Sequence, residues 1–126
     1  MKNIREPPSW VEKEQAISRL MGAPLSSVQF VMDYLILGFD PRGALTTLVW
    51  PEILHENKKM TFGIAGYRDK LCSLIEKVAK NVTMESDDTV SIVFENGVEV
   101  RIPLGSHKGG GEGAILTGPK HYLFVF

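Results

Sequence analysis

A chain of 126 residues has room for one hydrophobic core and no second domain. Its residues are 44% hydrophobic and 23% charged, the balance of a folded globular protein and not of a disordered one. Basic residues number 14 against 15 acidic, and a net charge of −1 leaves no cationic surplus for a phosphate backbone, so nucleic acid is disfavoured as a partner.

Cys72 is the single cysteine, so neither an intramolecular disulfide nor a cysteine zinc cage can form, in keeping with a reducing compartment. The stretch Met1-Lys2-Asn3-Ile4-Arg5-Glu6-Pro7-Pro8 lacks the apolar core of a secretory signal. No apolar run approaches the roughly 20 residues that span a bilayer. The expectation is a cytoplasmic protein with no membrane partner.

Ser9-Trp10-Val11-Glu12 reads as a capping box, and Trp10, Ile17, Leu20 and Met21 recur at roughly helical spacing. Gly22 and Pro24 end the pattern, which places a first helix at about 9–21. Val28 to Trp50 then forms two apolar runs about Asp40-Pro41-Arg42-Gly43, which has type I turn chemistry. A three-residue loop with a glycine bulge would pair Asp40 with Ala44, Ile36 with Leu48 and Tyr34 with Trp50. On the other face it would pair Phe39 with Leu45 and Leu35 with Val49. Both faces of that hairpin are apolar. One needs a helix over it, and the other a second layer or a partner subunit.

The polar segment from His55 to Thr61 reads as a loop. Beyond it, Tyr67, Leu71, Leu74, Ile75 and Val78 form one stripe of an amphipathic helix at about 64–80, with the charged residues mostly off it. Val82 and Met84 suggest a short strand, and Glu85-Ser86-Asp87-Asp88 an acidic turn. Val90, Ile92 and Phe94 alternate with polar or outward positions, as do Val98, Val100, Ile102 and Leu104 after Asn96-Gly97. A two-residue Asn-Gly loop would set Phe94 opposite Glu99 and mix the faces. A three-residue Glu95-Asn96-Gly97 loop sets Phe94 opposite Val98, Ile92 opposite Val100 and Val90 opposite Ile102. Burial selects the second. Gly105 to Gly113 has five glycines in nine residues and no periodicity, the composition of a flexible loop. Ala114-Ile115-Leu116 and Tyr122 to Phe126 flank Gly118-Pro119 as a last hairpin, with the final aromatic strand held in the sheet.

Few residues carry chemistry. The glycine-rich loop has Lys108 beside His107, but a strand follows it where a P-loop has a helix, so it reads as a surface loop or a ligand lid. Glu52, His55 and Glu56 have metal-ligand character without a second copy of the motif, and His107 and His121 are not spaced as a pair. A metal is not expected. Cys72 lies more than a turn inside the expected helix and reads as a buried structural thiol. Asp33 interrupts Phe30-Val31-Met32 and Tyr34-Leu35-Ile36-Leu37, so it either faces water near a strand start or finds a partner such as Arg101, Lys108 or a ligand. No catalytic triad, nucleophile elbow or kinase signature is present.

The segments Asp33-Tyr34-Leu35-Ile36-Leu37-Gly38-Phe39-Asp40, Trp50-Pro51-Glu52-Ile53 and Tyr67-Arg68-Asp69-Lys70-Leu71-Cys72-Ser73-Leu74-Ile75 resemble those of small uncharacterised bacterial proteins. Those proteins have a strand pair, a helix reading YRDxLCxLI and a β-rich C-terminal half, and the resemblance covers roughly residues 28–104. It implies a bacterial protein without an assigned activity and transfers no catalytic residue. Some proteins of this size and architecture are toxin-neutralising immunity partners, an analogy that favours a binding module.

The expected fold is α+β: an antiparallel sheet of five to seven strands, the 64–80 helix on one face and the 9–21 helix at an end or over the other. The leading functional expectation is a non-catalytic interaction protein without a cofactor, self-associating through apolar strand surface as a dimer or binding a protein partner. The rival is a small-molecule-binding protein or enzyme, with a pocket between the 105–113 loop and Asp33, Tyr34 and Trp50, its ligand held by these three with His107 and Lys108.

Overall fold

A computed structural model describes residues 8–106 and 113–126. Helix α1, Trp10–Ile17, starts where the capping box places it: the Ser9 hydroxyl accepts from Glu12 N–H at 3.1 Å, and Ser9 N–H donates to the Glu12 carboxylate at 2.8 Å. A 3₁₀ turn, Ser18–Leu20, continues it, and Gly22 stops it with φ +88°. Ala16, Ile17 and Leu20 are buried, whereas Trp10 and Met21 stay largely in water. The expected 9–21 helix is therefore present, with a narrower apolar stripe and a 3₁₀ end.

The first apolar run is itself a hairpin. Strand β1, Ser27–Val31, pairs antiparallel with β2, Tyr34–Phe39, across a turn at Met32-Asp33, with Val31 opposite Tyr34. Asp33 thus takes the water-facing position considered for it, because the turn removes it from the strand. Strand β3, Gly43–Thr47, pairs with β2 in a register two residues from the expected one: Phe39 faces Gly43, Leu37 faces Leu45 and Leu35 faces Thr47. The loop is Asp40–Arg42, closed by Arg42 N–H on Phe39 O, and the Asp40–Pro41 peptide is cis. Gly43 belongs to the strand and not to the turn, and the backbone at Thr117 passes so close that a Cβ there would overlap the Thr117 carbonyl. Tyr34 and Trp50 are consequently not cross-strand neighbours.

Strand β3 ends at Thr47, whose hydroxyl donates to Val49 O at 2.7 Å and accepts from Val49 N–H. Pro51 then offers no N–H to any ladder. The chain leaves the first sheet here and enters a second, which corrects the expectation of one sheet. The supposed loop at 55–61 lies mostly in this second sheet. Strands β4, Glu52–His55, and β5, Lys58–Met60, form a hairpin about Glu56 and Asn57, both left-handed (φ 53° and 65°) as a tight I′-like turn requires.

The 64–80 helix is also corrected. Helix α2 spans only Tyr67–Cys72, after which i→i+3 turns carry the chain to Glu76 at φ 82°. The backbone beyond is taken by a distant segment: Glu76 N–H donates to Leu25 O, Leu25 N–H to Lys77 O and Ala79 N–H to Ala23 O. Tyr67, Leu71 and Leu74 keep the buried stripe, but Ile75 is 36% exposed because the helix no longer carries it inward. Cys72 ends α2 exposed, not buried.

Strands β6 (Ala79–Met84), β7 (Thr89–Phe94) and β8 (Glu99–Pro103) follow, and the 95–97 turn has the expected register, with Phe94 N–H on Val98 O and Ile92 opposite Val100. Strands β9 (Ala114–Gly118) and β10 (Tyr122–Val125) form the last hairpin, and Phe126 N–H donates to Ala114 O. The two antiparallel sheets have orders β1-β2-β3-β9-β10 and β5-β4-β8-β7-β6. Leu35, Leu37, Leu45 and Leu116 of the first and Ile53, Val82, Ile92 and Val100 of the second lie in a single buried core with α1 and α2 residues. Among the described residues no helix is long and apolar enough to cross a membrane.

Candidate interaction surface

Because side chains alternate along a strand, the ladder registers decide what each sheet shows to solvent. In the first sheet Phe30, Leu35, Leu37, Leu45 and Leu116 point to the core. The opposite face therefore has the rows Gln29–Ile36–Thr46–Ile115–Val125 and Ser27–Gly38–Ala44–Thr117–Leu123, with Val31 beside Tyr34 at one end. None of these residues is charged. Most are half-buried, and Leu123 is 62% exposed.

The outer face of the second sheet is built differently. Arg101 bridges Glu99 and Glu85 at 2.9 Å each, Ser91 Oγ donates to Glu99 at 2.6 Å, and Lys59 pairs with Glu52 at 3.7 Å. The two carboxylates hold the Arg101 guanidinium still further above its already high ordinary value, mainly through these hydrogen bonds. This face carries a partly exposed ionic network. Among the described residues the bare face of the first sheet has no counterpart to it.

Trp50 lies between the sheets in an aromatic stack. Its ring is 4.0 Å from that of Phe62 and 6.4 Å from that of Phe30, both nearly parallel, and Tyr67 meets Phe62 edge-on at 5.8 Å. Arg68 lies over Phe30 and Phe62 at 5.5 and 5.2 Å. The Tyr67 hydroxyl donates to Pro51 O, and burial pushes its pKa up.

Of the site residues read from sequence, Tyr34 is on the bare outer face, Asp33 is in the adjacent turn, and Trp50 stacks on Phe30 of the inner row. The first two are neighbours, and the third is on the other side of the sheet. His107 and Lys108 lie outside the described residues, as does most of the glycine-rich loop. Among the described residues, neither Asp33, Tyr34 nor Trp50 lines the surface concavities beside His55 and beside Tyr122. Glu52 and His55 diverge: Glu52 pairs with Lys59 on the outer face, and His55 meets Lys70 on the inner side. Sequence reasoning missed the contributions of Ile115 and Val125 to the bare face, because their alternation did not reveal that β9 pairs with β3. No family model, curated protein or solved structure matches the chain.

Proposed function

We propose that this protein is a non-catalytic interaction module that associates with a second copy of itself through the outer face of the first sheet. The uncharged rows centred on Ile36, Thr46 and Ile115 carry this reading. A like face is a suitable occupant, because it brings no charge that would have to be desolvated without a counter-ion. Five strands about 4.8 Å apart and five residues at about 3.3 Å each give a patch of roughly 400 Å². That is about half the ~800 Å² per partner of a standard interface, so the dimer is weak, with a dissociation constant in the micromolar range or above.

Sedimentation equilibrium from about 10 µM to about 1 mM tests it. The expected result is a mass that climbs toward twice the monomer with concentration, and that Ile36→Lys holds at the monomer while leaving the circular dichroism unchanged. A monomer at every concentration, or a dimer indifferent to Ile36→Lys and Leu123→Glu, overturns it.

A further inference from the structure

The inner side of the β4–β5 hairpin holds a second feature, independent of the dimer face. Its register sets His55 beside Lys58 and Ile53 beside Met60 on the same side of the ribbon. The other strands continue that side with Val100, Ile92 and Val82, all buried. At this edge, however, the core gives way to a cavity of about 240 Å³, lined by Ile53, His55, Glu56, Lys58, Met60 and Lys70 of α2. Lys70 Nζ lies 3.0 Å from His55 Nδ1. An ammonium can only donate, so the imidazole accepts at Nδ1 and carries its proton on Nε2, leaving a second donor. Among the described residues no carboxylate comes within ion-pair distance of Lys58 or Lys70.

Two lysines and an imidazole thus line one small cavity with a single carboxylate, Glu56, above a floor formed by Met60 beside the buried Ile53. From this geometry we infer that the cavity binds a small organic anion, an oxyanion headgroup with a short apolar tail. The headgroup is held by Lys70, Lys58 and His55, and the tail rests on Met60, which covers the buried Ile53. Glu56 lines the same space and opposes the headgroup, which limits affinity and gives the site a signed test. A cavity of this size admits the volume of about eight waters, enough for a small headgroup and a short tail.

The test is a ¹H–¹⁵N titration of the intact protein with sodium butyrate and with inorganic phosphate, each against sodium chloride at matched ionic strength. Saturable shifts confined to residues 53–60 and 67–72 are expected with butyrate, and saturation by phosphate alone would overturn the apolar tail. Lys70→Met should weaken binding at least about tenfold, and Glu56→Gln should tighten it about threefold. Lys58→Gln supplies the same loss should Lys70→Met disturb α2. Shifts that drift linearly as with chloride, or a Glu56→Gln that binds no tighter, overturn the proposal.

Discussion

Gly43 lies against the Thr117 carbonyl at the point where β3 and β9 join the two hairpins of the first sheet. The same glycine has φ +145°, a conformation that L side chains rarely adopt. Two independent constraints therefore meet at one position, and both act on the strand ladder that supports the bare face.

Gly43→Ala is expected to destabilise the fold by about 2–3 kcal/mol or more, through strain and forced strand separation together. Gly97→Ala provides the control, since it has φ +88° with nothing within 4 Å of the added methyl. That change should cost only about 1 kcal/mol. Urea midpoints of the two variants separate crowding from backbone strain, and equal losses would show that the approach to Thr117 does not matter.

Tyr67 makes stability depend on alkaline pH. Burial raises its pKa above the ordinary 10, so the folded chain keeps the phenol neutral where the unfolded chain would ionise it. This contribution is fully present below pH 10 and is lost as pH rises beyond it. Tyr67→Phe leaves Pro51 O without its donor and should cost about 1–2 kcal/mol at pH 7. Above pH 10 the gap between wild type and variant should narrow by up to about 1.4 kcal/mol per pH unit. Denaturation curves at pH 7, 10 and 11 check the sign, and a gap that widens would contradict the burial of the hydroxyl.

Glu14 ties α1 to the free edge of the second sheet, because its carboxylate accepts Met84 N–H at 2.6 Å. Beside it, Lys13 pairs with Asp88 at 2.9 Å. Glu14→Ala should cost about 1.5–3 kcal/mol, whereas Glu14→Gln, which keeps an acceptor oxygen, should cost less than half as much. Amide exchange at Met84 gives the local readout: it should accelerate in the alanine variant and stay near wild type in the glutamine one.

Cys72 is exposed at the end of α2. An aromatic disulfide reagent should therefore label it in the native state nearly as fast as in urea. Protection of a hundredfold or more would restore the buried-thiol reading.

What could be read from the chain follows the range of the forces involved. The Ser9–Glu12 cap and the Phe94–Val98 turn are legible because each is decided within a few residues, by capping groups or by which face is apolar. The 64–80 helix misleads because its stripe is real as far as Leu74, while the backbone after it pairs with Ala23 and Leu25, about fifty residues away. The β2–β3 register fails for the same reason: Gly43 resembles a turn glycine until Thr117 is placed beside it. The bare face was half legible, since Ile36 and Tyr34 show a second apolar side, but its other half is contributed by β9 and β10. The Lys70–His55 cavity was hidden by the polarity of 55–61, where two lysines made a strand look like a loop.

The contrast between the two outer faces also sets a ceiling on growth. A protomer with matching uncharged surfaces on opposite sides could stack without limit. Here the far side carries the Arg101–Glu99–Glu85 ion pairs, whose charges oppose burial against a second copy. Association through the first sheet, as proposed, would use the one uncharged sheet face among the described residues of each copy, so assembly would close at two instead of propagating into a fibre.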